Sequence, residues 1–105
     1  MSEWTDVAKA EDIEPGKWLT VEISNTYIAV FNLDGDYYAI EDVCTHDGGD
    51  LASGWLEGEE IVCPRHGAHF SVKTGEVRSA PAYEDVKVFA VRVHDGMIQI
   101  ERPPR

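Results

Sequence analysis

From Trp18 the chain alternates: Leu19, Val21 and Ile23 are apolar, while Thr20, Glu22 and Ser24 between them are polar. A period of two over this length predicts a strand with one buried face. Asn25 interrupts it, and Tyr27 to Leu33 is then apolar at almost every position, as expected of a strand covered on both faces. Asp34-Gly35-Asp36 supplies a hairpin turn into a further strand over Tyr37–Glu41. Near the other end, Asp95-Gly96 makes a second two-residue turn into Met97–Glu101, with Ile98 and Ile100 facing inward and Gln99 and Glu101 outward. Val86 to Val93 is rich in β-branched residues, yet Lys87 and Arg92 have opposite parity. Either both faces of that strand are covered, or a bulge near Phe89 shifts its phase.

Other segments are shorter. Trp4–Ala8 is a brief apolar start, and Ala10–Gly16 reads as a turn or single helical turn closed by Pro15-Gly16. Glu57-Gly58-Glu59 is a turn before a short strand at Glu60–Val62. His69–Val72 and the Lys73–Glu76 turn read as another hairpin, and the Arg-Pro-Pro-Arg tail as a frayed end. There are no repeats and no linker. The pattern implies an all-β protein of one domain, residues 1–105. Its antiparallel base, a sandwich or barrel, comes from roughly 1–41 and 81–105, with a small three-stranded module inserted at roughly 42–80.

Composition narrows the class. Hydrophobic residues make up 43% and charged residues 28% of the 105, which is ordinary for a globular domain. No long apolar run is present, so the expectation is no signal peptide, no transmembrane helix and a cytoplasmic location. Nine Lys and Arg stand against twenty Asp and Glu, a formal net charge of −11. Nucleic acid and anionic membrane are therefore poor partners. The acidity serves either solubility or docking to basic patches, and docking of that kind weakens with salt.

The chemistry lies in one stretch. Cys44-Thr45-His46 is followed by sixteen residues, Asp47 to Val62, and then by Cys63-Pro64-Arg65-His66; both cysteines of the chain are here. Two short pairs, C-x-H and C-x-x-H, each bring a thiolate and an imidazole to one place, which suits a metal centre. The alternatives are a Cys44–Cys63 disulfide with unrelated histidines, a closed Cys2His2 zinc site, and a 2Fe-2S cluster. Zinc sites more often pair cysteine with cysteine and histidine with histidine. Mixed pairs are what a 2Fe-2S cluster needs if each loop is to reach both irons. His69 is a fifth candidate ligand, but alternation from Phe70 points it the other way, as a surface or supporting histidine. Gly48, Gly49 and Gly54 give the first loop freedom to wrap closely. Leu51 is expected to pack beneath it, and Trp55 either packs or forms an exposed rim for a partner.

The two loops resemble those of the Rieske family, in their spacing and in Thr45, Gly48, Gly49, Pro64, Gly67, Phe70 and the Thr74-Gly75 turn. The proline-containing segment Ser79–Tyr83 is similar to the loop that covers the family's cluster. The resemblance covers essentially the whole chain and implies a Rieske-like fold. It implies one 2Fe-2S cluster, with Cys44 and Cys63 on the inner iron and His46 and His66 on the outer, more exposed one. Gly49 and Arg65 stand where Rieske proteins of cytochrome bc complexes carry an extra disulfide, and Ala68 and Phe70 stand in place of their hydroxyl donors to the cluster sulfurs. Fewer donors implies a potential near the bottom of the Rieske range of roughly −150 to +300 mV.

Within the family, the resemblance implies a Rieske-type ferredoxin, the electron-transfer component of a bacterial ring-hydroxylating dioxygenase system. It would be a monomeric one-electron carrier from a flavoprotein reductase to a terminal non-haem iron oxygenase, and no catalyst alone. The alternatives are a small Rieske-like subunit of an assimilatory nitrite reductase and a zinc-stabilised interaction module. Copurification with a sirohaem-containing chain marks the first, and stoichiometric zinc without sulfide the second.

Overall fold

A computed structural model describes residues 3–43, 51–64, 67–80 and 84–101. Three antiparallel sheets make up the regular structure among the described residues. The central one contains β2 (Trp18–Ile23), β3 (Thr26–Leu33), β4 (Asp36–Glu41) and β8 (Val88–Phe89), in that spatial order. β1 (Trp4–Lys9), β10 (Met97–Glu101) and β9 (Val91–His94), drawn from both ends of the chain, form the second sheet with β10 in the middle. The third comprises β5 (Trp55–Glu57), β6 (Glu60–Val62) and β7 (His69–Ser71) in sequence order. The only helical turn among the described residues is the 3-10 turn Ala10–Asp12.

β3 explains the layering. Its even residues, Ile28 and Val30, enter one buried cluster with Ile98 and Ile100 of β10. Its odd residues, Ala29 and Phe31, enter another with Ile61, Phe70 and Leu51 of the third sheet and its approach. All four of these β3 residues are fully buried, so the unbroken apolar run is the mark of a strand packed on both faces. β2 shares the division: Leu19, Val21 and Ile23 face the first cluster, and Trp18 packs in the second with its ring 5.6 Å from that of Phe31. The third sheet thus has no core of its own; it closes against the central sheet.

Turn chemistry agrees with the pattern. Asp34 and Gly35 have φ of 53° and 94°, and Asp95 and Gly96 have φ of 51° and 78°, so both two-residue turns place positive φ at each central position. The apolar start Trp4–Ala8 is a full strand paired with β10, with a register shift between Asp6 and Ala8. Val86–Val93 differs from both expectations. It is two strands: β8 pairs with β4 and β9 pairs with β10, and the chain crosses between sheets at Ala90. The parity conflict arises because Lys87 precedes β8 while Arg92 lies on the outer face of β9, in a different sheet. The Lys73–Glu76 turn closes a short hairpin as expected: Phe70 bridges Val77, the Ser71 N–H donates to the Glu76 carbonyl at 2.8 Å and the Arg78 N–H to the His69 carbonyl at 2.7 Å.

Candidate metal centre

β6 delivers Cys63. Ile61, Val62 and Cys63 are buried in succession, and Cys63 carries a free thiol with no exposed surface. After it the chain turns at once: the Gly67 N–H donates to the Cys63 carbonyl at 3.0 Å, and the Cys63 N–H donates to the Ala68 carbonyl at 2.8 Å. Gly67 has φ of 74°, which a side chain would strain. The turn ends in β7, whose Val62–His69 pairing returns it along β6. A free thiol closed inside a tight loop suits a ligand, and the disulfide alternative finds no support in it. Cys44, His46 and His66 lie outside the described residues, as do Gly48, Gly49, Arg65 and Pro81–Tyr83.

The surroundings of Cys63 are apolar. Ala68 and Phe70, the positions read as lacking hydroxyl donors, are both fully buried beside it. Leu51 is fully buried in the same cluster, as expected. Trp55 is 48% exposed and its indole N–H donates to Glu57 at 2.8 Å, so it belongs to the rim rather than the core. Gly54 serves a different purpose from the expected freedom of the loop: a Cβ there would run into the Val62 carbonyl, so β5 can approach β6 only without a side chain at this point.

His69 points away from Phe70, as alternation requires. Its Nδ1 lies 2.8 Å from Glu60 Oε1, across β6 and β7, with both side chains about one-third exposed or less (27% and 33%). Its main chain is tied as well: the His69 N–H donates to Ser79 Oγ at 3.0 Å and its carbonyl accepts from the Arg78 N–H at 2.7 Å. His69 therefore joins the second loop's exit to the segment leading to Pro81. On the far side, Lys73 Nζ lies 2.9 Å from Glu59 and 5.7 Å from the Tyr38 ring centroid, bridging the third sheet to β4. The hydrogen-bonded Glu59 carboxylate raises its pKa above the ordinary lysine value.

Two residues that sequence reasoning passed over hold the first loop. Asp42 Oδ1 accepts the N–H groups of Leu51 and Ala52 at 2.7 and 2.8 Å, and the Trp18 indole donates to the Ala52 carbonyl at 2.9 Å. An Asp at a strand end before a glycine-rich segment is a local signal for such a role. Its partners nine and ten residues further on are not.

Fold and site define a class: a small three-sheet β protein whose buried thiol sits in a tight turn at the start of a C-x-x-H pair. The chain belongs to the Rieske [2Fe-2S] domain family, whose model matches residues 3–90. It is 33% identical over 98 residues to the ferredoxin component of the naphthalene 1,2-dioxygenase/salicylate 5-hydroxylase systems of a Ralstonia species, covering 93% of this chain and 94% of that one. Among solved structures, it matches a chain in the complex of reduced oxygenase and oxidized ferredoxin in carbazole 1,9a-dioxygenase, at 36% identity and TM-score 0.88, covering 93% and 92%. The ferredoxin of carbazole 1,9a-dioxygenase from Nocardioides aromaticivorans IC177 superposes with TM-score 0.92 at 27% identity, covering 97% and 100%. A Mycobacterium tuberculosis chain described as a "putative NADH-dependent nitrite reductase small subunit" shares the fold with TM-score 0.87 at 24% identity, covering 100% and 99%.

Proposed function

We propose that this chain is a one-electron carrier between a flavoprotein reductase and a terminal non-haem iron oxygenase of the aromatic-ring dioxygenase type. Cys44, His46, Cys63 and His66 would hold one 2Fe-2S cluster, the cysteines on one iron and the histidines on the other. When bound, such a cluster stores and releases a single electron. The chain would catalyse no substrate reaction alone, and would work as a monomer in the cytoplasm. No described helix is long and apolar enough to cross a membrane.

The observation that carries this reading is the free, fully buried Cys63 thiol in its hydrogen-bonded turn. It fits a thiolate donor: the apolar wall of Ile61, Ala68 and Phe70 keeps water from it, and the turn fixes its direction. That wall offers the sulfurs no hydroxyl, which favours a low potential suited to a flavin donor.

Iron, zinc and acid-labile sulfide are to be measured in anaerobically purified protein, with EPR before and after reduction. The expected result is about two irons and two sulfides per chain, silent when oxidised and with a mixed His/Cys signal when reduced. Zinc without sulfide overturns the reading. His46→Cys or His66→Cys should retain a cluster at lower potential, because a thiolate replaces a neutral imidazole; an unchanged potential removes the outer-iron assignment. The nitrite reductase alternative rests on fold likeness alone, and stable copurification with a sirohaem-containing chain would put it first.

A further inference from the structure

The segment 44–50, which carries two of the four ligands assigned above, lies between the end of β4 and Leu51. The residues flanking it are fastened to each other. The Asp42 N–H donates to the Tyr27 carbonyl at 2.8 Å, fixing the departure on β3. One oxygen of its carboxylate, Oδ1, takes the N–H groups of both Leu51 and Ala52, and Oδ2 accepts from Thr20 Oγ at 3.4 Å. The return is held from other sides too: Leu51 is fully buried in the cluster that includes Cys63, its carbonyl accepts from the Gly54 N–H at 3.0 Å, and the Ala52 carbonyl accepts from Trp18.

We propose that Asp42 is a positioning residue for the cluster: by clasping residues 51 and 52 it fixes both mouths of the loop that carries Cys44 and His46. This rests on the ligand assignment proposed above. Two successive N–H groups converging on one oxygen need an acceptor with two free lone pairs on a short stem, which the Asp42 carboxylate supplies. An ionised acceptor makes such bonds roughly twice as strong as a neutral one. With the clasp open, the two N–H groups need water, and Asp42 and Leu51 are no longer tied to each other.

The test compares the holoprotein with Asp42→Ala and Asp42→Asn. Iron release to a chelator should be at least about ten-fold faster in the Ala variant, since both hydrogen bonds of the clasp are lost, and its reduced EPR signal should broaden. Asn keeps an oxygen in the same place and should restore a narrow signal and most of the retention. An Ala variant indistinguishable from the parent overturns the proposal, and so does an Asn variant no better than Ala, which would make charge rather than the clasp responsible. Should the Ala variant not fold, hydrogen exchange in the unaltered protein decides: Leu51 and Ala52 amides protected like those of β3 support the clasp, and exchange as fast as in an open turn refutes it. If the metal proves to be zinc, the functional reading fails, while the exchange measurement still judges the clasp.

Discussion

Gly54 shows what a single atom does in this site. The Val62 carbonyl occupies the place a Cβ would take, so β5 and β6 lie as close as backbone alone permits, one residue before Cys63. Gly54→Ala must push the strands apart at the Trp55–Val62 pair. The expected cost is about 1–3 kcal/mol of stability, the range for forced overpacking, with iron retention reduced because the disturbance sits beside the Cys63 turn. A urea titration of the holoprotein measures the first and chelator kinetics the second; a midpoint equal to that of the parent would show that the strands absorb the methyl group. Cys63→Ala is a different kind of loss. It removes a proposed ligand without any clash, so purified protein should contain no stoichiometric labile sulfide, a result read directly by sulfide assay. Such residue-level reasons were half legible in the sequence. Both cysteines and both proposed ligand histidines announce themselves by spacing, but the reason for Gly54 lies in the approach of a strand that only tertiary structure brings near. The Asp42 clasp was hidden likewise, because the acceptor and its donors share no local motif.

At the scale of elements, β3 is the strand that the hydrophobic pattern described best and that matters most. Its alternate faces serve separate cores: Phe31 faces the cluster containing Cys63, and Ile28 faces the cluster shared with β10. Truncating either should be costly, about 3–5 kcal/mol for Phe31→Ala and about 2–5 kcal/mol for Ile28→Ala. Their effects on the metal should part company. Phe31→Ala removes the ring stacked on Trp18, whose indole holds the first loop at Ala52, so iron release should quicken. Ile28→Ala opens its cavity on the opposite face and should leave release near the parent rate under native conditions. Measuring thermal midpoints together with iron release separates the two; equal acceleration in both variants would mean that the layers are not independent. The same alternation rule failed at Val86–Val93, and for a physical reason. Periodicity assumes one strand in one sheet, whereas here the chain changes sheets at Ala90, so residues on either side answer to different neighbours. The strand β1 was missed for a related reason: the register shift after Asp6 breaks the period that would have revealed it.

The whole molecule carries a formal charge of −11, and a carrier must find and leave its partners quickly. Two features could govern that encounter, and they respond differently to salt. If the field steers association, the rate constant for electron transfer to an oxygenase with a basic surface should fall about ten-fold or more between low and high salt, as electrostatic attraction is screened. If the apolar rim at Trp55 dominates, the rate should change little with salt, and Trp55→Ala should weaken binding, since a half-exposed indole is a common anchor at interfaces. The charge reading is the stronger expectation here. Trp55 is itself tied by its N–H to the Glu57 carboxylate, which places a negative charge at the edge of the ring and brings even the apolar rim into the acidic field. Stopped-flow reduction of an oxygenase across a salt series, repeated with Trp55→Ala, decides it: a steep salt slope preserved in the variant assigns steering to the field. A flat series with a slow variant would assign recognition to the indole and leave the acidity to solubility alone.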